Sequence, residues 1–230
     1  MQKYLQTTIP FQITSKTLLN SDLIKKDYTI YNGRLIKVNT DIYLQSSGTQ
    51  YIDTGVYGSG NTTLDFKFDM SATTNSSMLF GSRQAYWNRS FIIFAPIVYR
   101  FDYGNNCPGN ITSKARFLTE IDDNNYNCTL YNFDGTIYDT LTSELKTFTT
   151  PDTLKLYAGS TAGVLSDLAS AKVYYLKIYE EDVLVRHFVP VPQDLVIGNF
   201  TCPSNGMFDI VNQQFYANQG TGTFDYGKDN

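Results

Sequence analysis

The chain holds one histidine, one tryptophan and three cysteines in 230 residues. Scarce histidine narrows catalysis. A serine–histidine–aspartate site has to use His187, which stands mid-strand in Val185-Arg-His-Phe-Val189 with no G-x-S-x-G elbow elsewhere. His187 is therefore read as a structural or exposed histidine. Cys107, Cys128 and Cys202 form no C-x-x-C pair, so zinc and dithiol chemistry lack their usual spacing. The odd count suits free thiols, with a Cys107–Cys128 bridge as the alternative. Charge is thin too: 17% of residues ionise, the net charge is −4, and no Lys/Arg run exceeds Lys25-Lys26. Phosphate backbones need a clustered basic face, so no nucleic-acid partner is expected. No apolar stretch approaches the ~20 residues of a spanning helix, and no membrane insertion is expected. The opening MQKYLQTTIPFQITSK has no continuous apolar core and is not read as a signal peptide.

What the chain has in quantity is aromatic: 18 Tyr and 15 Phe. Such residues, with Thr, Val and Ile, favour the half-buried surface of a pleated sheet. The length suits one sizeable core, and two domains would be cramped. Helical spacing shows only over Ser15 to Lys26, where Leu18, Leu19, Leu23 and Ile24 share a face. From residue 28 the period is two. Tyr28–Tyr31 and Arg34–Val38 flank Asn32-Gly33, a pair that supplies the positive φ angles of a type I′ hairpin turn. Leu64, Phe66, Phe68 and Met70 alternate with Asp65, Lys67 and Asp69, which places the first set in the core and the second in water. Leu154 and Leu156 point inward by the same pattern, as do Tyr174, Leu176 and Ile178. Glu180-Glu181-Asp182 makes a charged turn into Val183–Val189, and Pro190 and Pro192 stop that strand. Many short strands between Gly, Asn and Asp turns predict an all-β, two-sheet antiparallel β-sandwich.

Particular strings carry a resemblance. Ser47-Gly-Thr-Gln-Tyr-Ile-Asp-Thr-Gly55 resembles the opening strand of a concanavalin A-like lectin/glucanase (laminin-G-like) domain, a jelly-roll type found in phage virion proteins and gut-bacterial surface proteins. Leu79–Arg83, Arg100–Gly104, Tyr175–Glu180, Leu184–Pro190, Met207–Asn212, Phe215–Asn218 and Gly220–Phe224 continue it in order. The chain departs from the pattern at Val191-Pro-Gln-Asp194, where relatives often carry a Cys and basic residues. The resemblance implies a sandwich domain over residues 41–230, preceded by an attachment segment over 1–40. Gly48, Gly55 and Gly81 read as positions where turns or close packing exclude a Cβ. Gly220-Thr-Gly222 has neither the Lys nor the following helix of a phosphate loop.

Related sandwiches include glycoside hydrolases with carboxylates along one strand. Glu120 and Asp122 share a strand face at about 6.5–7 Å. Yet Asn124 stands where a third acid belongs, and Asp122–Asn125 reads better as a turn. Lectin-like sandwiches often hold structural Ca²⁺, for which Asp102, Asn105 and Asn106 are the weak candidates. Asp and Asn also dominate turns for backbone reasons, so no metal or other cofactor is assigned. For glycan contact, sugar rings stack on aromatic faces while amides and acids fix hydroxyls. Tyr86, Trp87 and Asn88, with Tyr99, Asp102 and Tyr103 near them, form the candidate platform. Trp87 as a cap on the core edge is the alternative.

The resemblance implies a non-catalytic bacteriophage virion structural protein on the virion exterior, as a head-fibre, decoration or tail-fibre component. In overall character the chain is similar to virion proteins of phages of gut bacteria, crAss-like phages among them. Expected partners are other virion proteins, capsid or tail, through residues 1–40, a second or third copy as a homo-oligomer, and cell-surface glycan. A carbohydrate-binding module of a bacterial protein is the alternative, and a glycoside hydrolase the third reading.

Overall fold

The computed structural model describes residues 28–31, 34–37, 41–73, 76–85, 88–95 and 99–229. Among them all regular structure is strand, and predominantly antiparallel sheets pack as a sandwich. Tyr28–Tyr31 (β1) pairs with Arg34–Lys37 (β2), Tyr31 opposite Arg34, as the hairpin pattern requires. Residues 32 and 33, and the helical spacing at 15–26, lie outside the described residues.

The smaller sheet takes Ile52–Ser59 (β4), Ser77–Arg83 (β6), Ser90–Ala95 (β7), Arg100–Gly104 (β8), Asn106–Asn110 (β9), Thr149–Leu156 (β13), Gly159–Thr161 (β14) and Val164–Ser166 (β15). One short contact in it, β14 with β6, is parallel. The larger sheet takes Ile42–Ser47 (β3), Thr62–Asp69 (β5), Lys114–Asp122 (β10), Asn125–Tyr131 (β11), Ile137–Glu144 (β12), Ser170–Glu180 (β16), Val183–Val191 (β17), Gly206–Asp209 (β20), Gln214–Tyr216 (β21) and Asp225–Lys228 (β22). Val196–Ile197 (β18) and Phe200–Thr201 (β19) form a small hairpin.

The larger sheet runs β12-β11-β10-β5-β16 and then forks. One edge of β16 pairs with β5 along most of its length. The other edge is shared, Ser170–Val173 with β3 and Leu176–Glu180 with β17. From this fork β3 continues to β22, and β17 to β20 and β21. The N–H of Asp229 donates to the carbonyl of Asp41 at 2.8 Å, so the sandwich's first and last described residues meet there.

The alternation on β5 puts Leu64, Phe66, Phe68 and Met70 at 0% exposure between the sheets, with Leu154 and Leu156 facing them. Full burial of an aliphatic or aromatic side chain is worth about 1.5–3 kcal/mol, which makes this register hard to slip. Tyr103 and Tyr126 stack in the same core at 3.9 Å between ring centroids. Their hydroxyls donate to the carbonyls of Gly60 (2.6 Å) and Thr62 (2.7 Å), so neither polar tip is stranded.

Three expectations are corrected. Tyr174 does not point into the main core. The pairing of β16 with β5 shifts between Val173 and Tyr175, and this bulge turns both Tyr174 and Tyr175 onto the outer face while Val173 and Leu176 stay inside. Pro190 does not end β17, because it pairs with Met207 of β20 and the strand reaches Val191. β16 follows β17 only to Phe188, so beyond that residue one edge of β17 has no ladder and a missing N–H is tolerated. Asp65, Lys67 and Asp69 do not face open water: on the outer face of the sheet Asp65 is buried and Lys67 and Asp69 are half-buried.

Candidate functional site

The Gln84–Arg89 connection between β6 and β7 carries the candidate platform. Gln84 donates its N–H to the carbonyl of Asn88 at 3.0 Å, and Asn88 donates back to Ala85 at 3.0 Å. Ala85 and Asn88 are bridged, and the two residues between them, Tyr86 and Trp87, lie outside the described residues. The base is fixed further by Arg89, whose backbone has φ 49° and whose Nε donates to the carbonyl of Thr149 at 2.6 Å. Asn88 itself is exposed.

The other expected members do not gather around it. Ser90, two residues after Asn88, sits opposite Gly104, and Phe94 sits opposite Arg100. Tyr99 is therefore at the far end of β8, roughly 16 Å of extended strand from Gly104, and its ring packs on the core. Tyr103 is 0% exposed in the core stack, and burial pushes its phenol up to about 12. Asp102 is 0% exposed on the outer face of β8, opposite Ile92, with Arg100 Nε at 3.0 Å from its Oδ1. Burial raises its carboxyl against the pull of Arg100 and Arg83. Neither residue offers a face to a sugar.

Asn105 and Asn106, by contrast, lie at the β8–β9 turn, the same end of the sheet as Asn88. They do not converge with Asp102 as a Ca²⁺ cage. The Asp102 carboxylate is engaged by arginine, and Asn106 Nδ2 donates to Ser143 Oγ at 3.2 Å. Cys107 and Cys128 are both free, as is Cys202. Glu120 and Asp122 are exposed at the end of β10, opposite Asn127 and Asn125, so Asp123 and Asn124 form the expected turn. Asp123 takes φ 52°, which asparagine and aspartate tolerate in such turns. His187 is fully buried in β17, and its N–H donates to Asp209 Oδ1 at 2.9 Å.

The outer face of the larger sheet holds a second cluster. Arg116 Nε reaches Asp65 Oδ1 at 2.8 Å, the Tyr175 hydroxyl donates to the same carboxylate at 2.9 Å, and Lys177 Nζ lies 3.5 Å from Oδ2. Lys67 Nζ sits 4.3 Å from the Phe133 ring centre and 4.9 Å from that of Tyr174, with Asp41 as counter-ion at 3.6 Å. Lys172 pairs with Asp229 at 2.6 Å and lies 4.0 Å over the Tyr43 ring. Each of these lysines thus has a carboxylate and an aromatic face. The arrangement closes the outside of the sheet and ties down both Asp41 and Asp229. No sequence signal marked it: neighbouring rings on a regular strand point to opposite faces, and only the bulge brings Tyr174 and Tyr175 onto one.

Comparison with protein-family models, with curated proteins and with solved structures gave no match for this chain.

Proposed function

We propose that the chain is a non-catalytic, lectin-like sandwich displayed on the exterior of a bacteriophage virion, as a head-fibre, decoration or tail-fibre component that touches host-surface glycan. One observation carries the glycan reading: the only tryptophan sits in a connection whose base is pinned by three hydrogen bonds, at Gln84, Asn88 and Arg89. A fixed base lowers the ordering cost of binding, and an aromatic–amide pair beside it suits a sugar ring and its hydroxyls. Asn88, Asn105 and Asn106 at the same end supply amides. Residues 1–40 serve as attachment to another virion protein, and association between copies multiplies weak sugar contacts.

The test is binding of the purified chain to surface polysaccharides of gut bacteria, by retardation in polysaccharide-containing gels. Trp87→Ala is expected to weaken retention about tenfold, equivalent to ~1.4 kcal/mol, with the β spectrum unchanged. Indifference of binding to both Trp87→Ala and Asn88→Ala would remove this site. Detection of the chain in purified virions, at many copies per particle, tests the location separately.

A further inference from the structure

β12 ends the larger sheet, and among the described residues it pairs only with β11. Its burial pattern is unusual for a sandwich strand. Ile137 to Thr140 are all exposed, Ile137 at 62% and Tyr138 at 56%. Both faces of the strand's first half are therefore open, and two large apolar side chains stand in water. Edge strands are commonly blunted by proline or lysine. Ile137–Glu144 contains neither, and its one bulge, at Tyr138, leaves Asp139–Glu144 in regular register.

The direction of its free backbone groups follows from the neighbouring turn. A two-residue hairpin closes on a hydrogen-bonded pair, here Asp122 and Asn125, so Asn125, Asn127 and Thr129 turn their N–H and C=O groups toward β10. Tyr126, Cys128 and Leu130 then face β12, where they meet Ser143, Leu141 and Asp139. The groups of Thr140, Thr142 and Glu144 are left pointing outward; beyond Asp139 the register shifts by one residue at a bulge that takes in Tyr138. Two bonds agree with this parity. Leu145 donates inward to Asn124 at 2.7 Å, and the N–H of Thr140 is taken by the Asp139 carboxylate at 2.8 Å.

We infer that two copies of this chain pair β12 to β12, antiparallel about a twofold axis at Leu141, joining their larger sheets into one. Outward residues must meet outward residues, so the axis passes through a residue and not between two. With Leu141 on the axis, Thr140 faces Thr142 of the second copy and Asp139 faces Ser143, all within the regular part of the strand that follows the bulge. No acid opposes an acid, and Glu144 is already neutralised by Lys146 at 2.8 Å. Threonine pairs are favourable cross-strand neighbours. A twofold contact of this kind is self-complementary and closes at two copies. The inference stands on the sheet edge alone and is independent of the virion reading.

Sedimentation equilibrium of the full chain over a wide concentration range is expected to show a dimer. Thr142→Pro removes one outward N–H while leaving the β11 ladder intact. Thr140→Lys with Thr142→Lys sets like charges opposite each other at positions that are exposed in the single chain. Each variant is expected to raise the dimer dissociation constant about tenfold or more, with an unchanged circular dichroism spectrum. A chain that is monomeric throughout overturns the inference. So does an oligomer that persists undiminished in the folded double-lysine variant.

Discussion

Burial pushes the Asp65 carboxyl upward, yet Arg116, Lys177 and Tyr175 together hold it below the usual carboxylate range. Because the folded value lies below the unfolded one, the charged form stabilises the fold above the unfolded carboxylate value, about 3.9. That contribution disappears as pH falls through the lower, folded value. Asp65→Asn is expected to cost about 2 kcal/mol in urea unfolding at neutral pH, because it leaves a half-buried guanidinium and an ammonium facing a neutral amide. The gap between the two proteins should shrink as pH drops below about 4. A gap that stays constant with pH would show that shape, not charge, is what the variant loses. Period-two alternation told which side of β5 each residue occupies, but not what lies on that side. The cover over Asp65 comes from Tyr175, 110 residues away. The same limit applies at the candidate platform. Tyr99 is close to Trp87 in sequence, but β7 carries the chain the length of the sheet before β8 turns back, and Asp102, which β8 does bring back, is buried against Arg100.

At the scale of the element, strand identity was legible wherever apolar and polar residues alternate strictly, as in β5 and β13, and turns wherever Asn, Asp or Gly cluster. Irregularities within strands were not. The bulge at Tyr174 and the continuation through Pro190 depend on which neighbour occupies each edge, and that is settled by strands far away in the chain. Glycine gave a partial signal. Gly81 has φ 134°, and a Cβ there would sit 1.9 Å from the carbonyl oxygen of Phe91 and 2.7 Å from Ile92 Cα. Both obstacles are backbone of the paired strand β7, so no rotamer change relieves them. Gly81→Ala is therefore expected to destabilise the sandwich by more than about 3 kcal/mol, read as a lowered urea midpoint. A loss below about 1 kcal/mol would mean that β6 and β7 can slide apart at little cost.

Across the whole molecule, the two-sheet architecture followed from strand number and turn spacing, whereas the fork at β16 did not, since nothing local marks a strand whose edge serves two partners. That fork is where the first and last residues of the sandwich meet, Asp41 hydrogen-bonded to Asp229, with β3 and β22 running antiparallel away from them. A load applied between these two residues meets the β3–β22 ladder end-on. Its rungs then break in turn, each bearing the whole force, whereas a ladder pulled lengthwise shares the force among all rungs at once. Single-molecule stretching between residues 41 and 229 should therefore show an early, low-force lengthening as β22 peels from β3, before the core gives way. One abrupt rupture at high force would contradict this. A fold so arranged is a weak link when strung by both ends, but as a pendant hung from one end it carries no tension through its seam.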